Sequence, residues 1–109
     1  MNPGMKPETA GRIGLARRAG KLAVGEEGCL KALRSRKAFL LILSRDASAN
    51  TKKRFRDKCA FYQVPLIECG SRHELGAAVG RSAAVAMAVT DAGMARGILQ
   101  SAGEYGGAH

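Results

Sequence analysis

AFLLILS, at residues 38–44, is the stretch that decides the fold of this 109-residue chain. Its apolar residues follow one another without polar alternation, which predicts a strand covered on both faces. A second run, AVAMAVTD at 84–91, predicts another buried strand. Both runs are far shorter than the roughly 20 apolar residues that a membrane-spanning helix needs, so they belong to a protein core.

Helical patterns alternate with these strands and with two weaker strand segments. The weaker segments are KLAV at 21–24 and residues 64–67, where Pro65 is confined to a strand start or a sheet edge. Because helices must cover both faces of the buried strands, we predict an α/β fold, a three-layer α/β/α sandwich. The predicted helices are one that Thr9 caps and that ends at Gly20, one from about Glu26 to Arg36, and three capped by Asp46 or Ser48, by Ser71, and by Thr90 or Asp91.

The length of the chain fits one domain, which we assign to residues 1–109. Residues 1–7 and 103–109 are predicted to be loose tails. MNPGMKPETA lacks the apolar segment of a signal peptide, and the three cysteines form no CxxC pair. We therefore expect free thiols and a cytoplasmic location.

Charge is the most unusual property of the sequence. Eighteen Lys and Arg against nine Asp and Glu give a formal net charge of +9. Residues 1–60 hold fifteen basic and five acidic residues, whereas residues 61–109 hold three basic and four acidic residues. This asymmetry favours a polyanionic partner, a nucleic acid or an anionic membrane surface. The alternative is a charged surface that only keeps the protein soluble.

No catalytic constellation is present in the sequence. GLARRAGK at 14–21 resembles a phosphate-binding loop, but five residues rather than four separate its outer glycines, and Leu22 stands where Ser or Thr must bind magnesium. His73 has neither a neighbouring nucleophile nor a partner at metal-ligand spacing, so we interpret it as a surface residue. We predict that the protein is not an enzyme and needs no cofactor and no metal.

KLAVGEEGCLKAL, at 21–33, gives one predicted helix an unusual start for so basic a chain. Glu26 and Glu27 open the helix, and Gly28 follows, where a glycine costs roughly 0.5–1 kcal/mol relative to alanine. A glycine lets another backbone approach closely, and the free N–H groups of a first turn attract phosphate. The segment is therefore interpreted as a helix N-terminus shaped to lie against RNA.

The same helix carries cations along one exposed stripe. Residues three and four apart share a helix face, so Lys31 and Arg34 follow Glu27 and Gly28 and extend the phosphate site into a cationic ridge. The alternative is purely structural: Gly25 is a turn residue, Gly28 is only tolerated, and Lys31 pairs with Glu27. The residues alone leave both interpretations open.

Two further segments bear on binding. KKRFRDK at 52–58 is the densest charge cluster, with cations around Phe55 on the outer side of a helix, and is interpreted as a solvated face that adds long-range attraction. Residues 81–84, before the second buried strand, form a small apolar loop that could face a base. Five aromatic residues and no Trp argue against a stacking platform for single strands, which needs exposed rings.

Three stretches together resemble the kink-turn-binding large-subunit ribosomal protein family, and more closely its small bacterial branch, the YlxQ-like proteins. They are KLAVGEEGCLKAL, the segment from LLILSRDASANT through SRHELGAAVG at 40–80, and AVAMAVTDAGMARGIL at 84–99. The ordered motifs SRDASxNT, CxxYxVP, SRxELG and AVTDxG carry the resemblance, which runs from about Gly14 to Leu99. It implies an α/β/α sandwich around a four-stranded mixed sheet and a ribosomal-type, RNA-binding function.

The resemblance also implies a site. In the family, the N-terminal part of the second helix enters the widened groove of a kink-turn, an RNA bend with tandem sheared G·A pairs. The loop before the last strand covers the extruded nucleotide, and the position of Arg72 is commonly basic. With the cations expected to give salt-dependent binding, the predicted RNA-binding residues are Lys21, Gly25, Glu26, Glu27, Gly28, Lys31, Arg34, Arg72, Arg81, Ser82, Ala83, Ala84 and Val85.

One departure from the family pattern concerns base readout. Family members with well-defined kink-turn specificity carry an Asn-Glu pair where this chain has Glu27 and Gly28, so the carboxylate that accepts hydrogen bonds from guanine is missing at position 28. A neighbouring acid points about 100° elsewhere on a helix. Phosphate holding and recognition of RNA shape remain.

The leading hypothesis is a non-enzymatic, monomeric protein that binds and stabilises a kinked RNA element. The alternative is a protein-interaction or assembly module of the same fold, associated with the ribosome, whose RNA site is degraded at Gly28. An enzymatic role ranks last because no catalytic domain is attached.

Overall fold

The two apolar runs form the two central strands of the sheet. The structure, a computed structural model, describes residues 4–103. In it β2 (Leu40–Leu43) and β4 (Ala86–Val89) are buried along their whole length and pair with each other in antiparallel orientation. The prediction of two strands covered on both faces is confirmed.

Two shorter strands complete a four-stranded mixed sheet. β1 (Leu22–Val24) pairs antiparallel with β4, and β3 (Leu66–Glu68) pairs parallel with β2, so the order is β1-β4-β2-β3. Pro65 comes just before β3, and its carbonyl accepts a hydrogen bond from the Leu41 N–H at 2.9 Å. Pro65 therefore occupies the strand start at the sheet edge that its missing N–H requires.

Helices cover both faces of the sheet and confirm the three layers. The elements on one face are α1 (Pro7–Arg18), α4 (Arg72–Ala78) and α5 (Ala92–Gly103), and those on the other are α2 (Glu26–Arg34) and α3 (Ala49–Tyr62). Successive side chains of a strand point to opposite faces. Leu40 and Ile42 of β2 accordingly pack with the first group of helices, and Leu41 and Leu43 pack with the second.

Side-chain caps start three of the helices as predicted. The Ser48 Oγ accepts from the Thr51 N–H, the Ser71 Oγ accepts from the Glu74 N–H, and the Asp91 carboxylate accepts from the Met94 N–H. These bonds satisfy N–H groups that a helix cannot pair internally. Ser48 rather than Asp46 caps α3, and Asp91 rather than Thr90 caps α5.

The predicted start of α1 is wrong. The helix begins at Pro7, whose missing N–H suits a first position, and not after Thr9. Thr9 lies inside the helix, fully buried, and its hydroxyl is 2.8 Å from that of Ser101 on α5. The Thr9 hydroxyl, which the local pattern assigned to a helix cap, therefore bonds to a residue 92 positions away in the sequence.

The ends of the chain also differ from the prediction. The Met5 N–H donates to the Glu74 carboxylate at 3.1 Å and Met5 packs against the core, so the loose tail predicted for residues 1–7 is wrong for residues 5–7. Gly103 is the last residue of α5. The other residues of the predicted tails, apart from Gly4, lie outside the described part of the chain. None of the described helices is long and apolar enough to cross a membrane.

Cys29, Cys59 and Cys69 are free, buried thiols. Burial raises the pKa of Cys29 to about 12 and that of Cys59 to about 11, and it raises the pKa of Cys69 as well. Since the thiolate is the reactive form, these cysteines act as small apolar core residues.

Candidate nucleic-acid interface

One edge of the sheet collects most of the predicted site residues. β1, β2 and β3 all run toward this edge, and the antiparallel β4 starts from it. Each of the first three strands is followed by a helix, so α2, α3 and α4 all begin here. We call this surface the α2 edge and define it by residues 25–28, 44–48, 69–72 and 81–85.

A backbone hydrogen bond joins two separate parts of the predicted site. The Gly25 N–H, at the start of α2, donates to the Ala86 carbonyl at 2.9 Å, and Ala86 directly follows the loop of residues 81–85. Gly25 has a φ of +101°, a conformation that favours glycine. The start of α2 and the last loop are therefore neighbours, although Gly25 and Ala86 are 61 positions apart in the sequence.

The N-terminus of α2 has no side-chain cap. By contrast, α3, α4 and α5 are capped by Ser48, Ser71 and Asp91, and α1 starts with a proline that has no N–H group. The first N–H groups of any helix lack partners within the helix and carry the positive end of its dipole. At α2 these groups remain available to an external acceptor.

Gly76 and His73, both on α4, position the last loop. A Cβ atom added at Gly76 would lie only 2.7 Å from the Cα and N atoms of Ala83, so only a glycine lets the loop lie directly on the helix. The His73 Nδ1 is 3.2 Å from the Ser82 carbonyl, and the Ala84 N–H donates to the Arg72 carbonyl. The loop is therefore fixed against α4 by packing and by hydrogen bonds.

Only part of the predicted loop faces solvent. Arg81, Ser82 and Ala83 are exposed, whereas Ala84 is buried with 6% exposure and Val85 is half-buried. The prediction that Ala84 faces a base is thus contradicted, because its side chain packs in the core and anchors the loop. The exposed tip of the loop consists of residues 81–83.

Lys31 and Arg34 are exposed on α2, in line with the predicted cationic ridge. Within the described chain Lys31 forms no ion pair with Glu27, which the structural alternative required. Glu26 instead pairs with Arg54 of α3 at 3.0 Å, which neutralises one of the two acids at the helix start. Glu27 is exposed.

Arg72 has a structural partner at the α2 edge. Its guanidinium lies 3.5 Å from the Asp46 carboxylate and donates to the Asp46 carbonyl at 2.8 Å. The backbone N–H of Arg72 donates to the same carboxylate at 3.1 Å. The nearby Ser44 hydroxyl and the N–H and charge of Arg72 lower the pKa of Asp46. Arg72 thus joins the start of α4 to the loop after β2, and the Asp46 carboxylate balances its charge.

The densest charge cluster, KKRFRDK, is largely neutralised by neighbouring acids. Lys52 and Arg56 both pair with Glu68, at 3.2 and 2.6 Å, and Lys53 pairs with Asp57 at 3.1 Å. The prediction that cations surround Phe55 on the outer side of the helix is wrong. Phe55 has no exposed surface and packs between α3 and the sheet, where its i, i+4 relation to Cys59 places it.

The structure does not bring Lys21 to the other site residues. The Lys21 carbonyl accepts a hydrogen bond from Thr90, just after the last residue of β4, while Gly25 bonds to the first residue of β4. Four residues of extended chain place Lys21 roughly 13 Å from Gly25, at the opposite edge of the sheet. The other twelve predicted residues lie at the α2 edge or along α2.

Sequence reasoning missed the residues that position the site. Asp46 was considered only as a helix cap and His73 only as a surface residue, and the role of Gly76 was not predicted. Their roles depend on partners from other elements, which no local pattern shows. Within residues 4–103 there is no group of three His, Cys, Asp or Glu side chains that could hold a metal ion.

The protein is an α/β/α sandwich in which an uncapped helix N-terminus and a fixed loop lie together at the α2 edge. This arrangement is a candidate site for a polyanion. The chain belongs to the Ribosomal protein L7Ae/L30e/S12e/Gadd45 family, whose model matches residues 8–98. The family resemblance found in the sequence is thereby confirmed.

Individual relatives support this assignment. The chain is 44% identical over 87 residues to the RNA-binding protein YlxQ of Bacillus subtilis (strain 168), covering 80% of this chain and 87% of the relative. It is 40% identical over 96 residues to the RNA-binding protein YlxQ of Enterococcus faecium, covering 88% and 92%.

Two solved structures have the same fold. A protein of unknown function from Bacillus halodurans C matches with a TM-score of 0.84 and 40% identity, over 87% of this chain and 96% of that one. The Giardia lamblia 15.5kD RNA binding protein matches with a TM-score of 0.73 over 94% and 91% of the two chains. At 19% identity, this second likeness concerns the fold alone.

Replacing Gly76 with Ala tests how the loop is positioned. The added methyl group would meet the backbone of Ala83, so we expect the free energy of unfolding to fall by about 1–3 kcal/mol in urea denaturation. Gly11→Ala is the matched control, because a Cβ at this α1 position has no atom within 4 Å. It should instead stabilise the protein by about 0.5–1 kcal/mol. A stabilising effect of Gly76→Ala would contradict this account of the loop.

Proposed function

We propose that this protein is a non-enzymatic, monomeric RNA-binding protein that captures a kinked, kink-turn-like RNA element and stabilises its bent form. The observation that carries the proposal is the Gly25–Ala86 hydrogen bond, which places an uncapped helix N-terminus beside the strand end that follows the last loop. Family membership and the names of the two curated relatives, both RNA-binding proteins, support RNA as the ligand.

The site contains groups suited to an RNA backbone. Phosphate oxygens are acceptors that the free N–H groups at the start of α2 can bind with the help of the helix dipole. Lys31 lies roughly one helical turn further along, so it can contact a second phosphate, and Arg34 extends the charge beyond it. The pairing of Glu26 with Arg54 reduces the repulsion that a phosphate would meet at the helix start.

The loop tip supplies the second part of recognition. Ser82 and Ala83 are small and exposed, and the neighbouring Arg81 is a cation. Structure-specific RNA recognition commonly uses unpaired, unstacked nucleotides at bends and bulges. A sharply bent RNA would place its backbone on α2 and its extruded nucleotide on this tip, whereas a straight duplex can reach only one of the two surfaces.

The direct test compares a kink-turn duplex with a fully paired duplex of the same length. We expect the kink-turn RNA to bind at least about tenfold more tightly, which corresponds to roughly 1.4 kcal/mol, in anisotropy titrations at two salt concentrations. Lys31→Ala should weaken binding of both RNAs and reduce the salt slope by about one, since one phosphate contact is lost.

Arg96→Ala provides the matched charge control, because this exposed cation lies on α5 in the other helix layer. It should leave the preference for the kink-turn unchanged. Equal affinity of the wild-type protein for both duplexes would leave only a general polycation and would reject the proposal. An unchanged salt slope in Lys31→Ala would remove α2 from the interface.

Gly28→Glu tests whether base readout can be restored. A Cβ at Gly28 would lie 3.5 Å from the Ala23 Cβ, an ordinary contact, so the helix accepts a side chain at this position. We expect Gly28→Glu to increase the preference for the kink-turn, because the new carboxylate would occupy the position where the family's glutamate accepts hydrogen bonds from guanine. Titrations of the same two duplexes measure the effect.

Gly28→Ala and Gly28→Gln are the matched controls. Both should stabilise α2 by about 0.5–1 kcal/mol without changing RNA preference, which separates helix stability from recognition. If Gly28→Glu gave no more selectivity than these controls, the site would not be a blunted kink-turn reader. That result would favour a protein-interaction or assembly module of the same fold.

A further inference from the structure

A second exposed surface lies at the opposite edge of the sheet, where α3 ends. Phe61 is 73% exposed, the highest value among the exposed large hydrophobic residues of the described chain. Its ring lies edge to face with that of Tyr62, with 4.9 Å between the ring centroids and an angle of 87° between the planes. One face of an aromatic pair is therefore open to solvent, although burial of Phe61 would be the ordinary outcome for a phenylalanine.

Arg36 completes this aromatic surface from the loop after α2. Its guanidinium carbon lies 5.2 Å from the centroid of the Tyr62 ring, within the range of a cation–π contact. Arg36 has a φ of +58°, in the left-handed region that favours glycine. The chain thus holds a guanidinium beside the rings at a backbone position where glycine would be less strained.

The charges around the rings are mainly positive. Asp57, Lys58, Phe61 and Tyr62 line a shallow depression on α3. Asp57 is paired with Lys53 at 3.1 Å, while Lys58 and Arg36 have no carboxylate partner within the described chain. We define Arg36, Lys58, Phe61 and Tyr62 as the aromatic patch.

We propose that the aromatic patch is a second RNA contact, which binds an unpaired nucleotide by stacking its base on Phe61. Arg36 and Lys58 supply cations for the adjoining phosphates, the combination of rings and positive charge by which proteins bind single strands. The low number of aromatic residues argued against a stacking platform, but the exposure of Phe61 provides the ring that such a platform requires. An RNA strand fits the positive charge better than an apolar protein surface does.

This contact goes beyond the α2 edge and requires only that the protein binds RNA. The fourteen residues of α3 span roughly 21 Å and separate the aromatic patch from the α2 edge. A kinked element bound at the α2 edge would therefore reach the patch through an unpaired extension. The two surfaces can be tested independently with RNAs that carry or lack such an extension.

The experiment uses the kink-turn duplex with a blunt end, the same duplex with a single-stranded extension of about ten nucleotides on either strand, and the isolated extension. An extension of this length lies within the range that single-strand-binding domains cover. We expect one of the two extensions to tighten wild-type binding by roughly 5- to 150-fold, as one stacked base can. Phe61→Ala should abolish most of this gain and leave the affinity for the blunt duplex unchanged.

Leu15→Ala is the matched control, since Leu15 is 53% exposed and lies on α1 in the other helix layer. It should retain the full gain. Arg36→Gly should reduce the gain without lowering thermal stability, because glycine suits the left-handed backbone at this position. An equal gain in wild type and Phe61→Ala would overturn the proposal. It would also be overturned if the wild-type protein bound neither extended duplex more tightly than the blunt duplex and did not bind the isolated strand.

The two proposals can fail separately. Loss of preference for the blunt kink-turn duplex would reject the function proposed for the α2 edge. If the isolated strand still bound and this binding depended on Phe61, the aromatic patch would stand without it.

Discussion

The hydrogen bond from the Gly25 N–H to the Ala86 carbonyl determines what the α2 edge can do. It depends on the central position of β4, whose first residue must lie beside the end of β1 for the bond to form. The positive φ of Gly25 then turns the chain into α2, whose N-terminus has no side-chain cap. Without this junction, an uncapped helix start and the last loop would be two unrelated surface features. With it, they lie side by side, and the proposed binding of a bent RNA depends on this arrangement.

The location of unpaired charge matters more here than the number of charged residues. The cluster at 52–58 has the highest density of cations, but neighbouring acids neutralise much of it. The cations Lys31 and Arg34 form a less dense group, but both are exposed along the helix that begins at the α2 edge. A formal net charge of +9 favours the approach of a polyanion, and we propose that the short-range donors at the start of α2 decide where it binds. The same criterion distinguishes the aromatic patch from the paired cations at 52–58, because Arg36 and Lys58 have no carboxylate partner within the described residues.

The sequence predicted those features that depend on local patterns. Continuous apolar runs identified the central strands, and Ser71 was identified as a cap because a side chain and a nearby N–H suffice for it. Predictions were wrong where a distant partner decided the outcome. Thr9 bonds to Ser101 instead of capping a helix, and several cations of the cluster at 52–58 pair with Glu26 and Glu68 from other elements. Gly76 could be recognised as a packing requirement only once the loop that lies on it was placed.

Amide hydrogen exchange with and without a kink-turn RNA tests the joined surface most directly. We expect the amides in peptides covering residues 25–31 and 81–86 to exchange more slowly on binding, with the uncapped N–H groups at the start of α2 changing most. Protection of only one of these two segments, or of neither while the cluster at 52–58 slows, would contradict the claim that they act as a single binding surface.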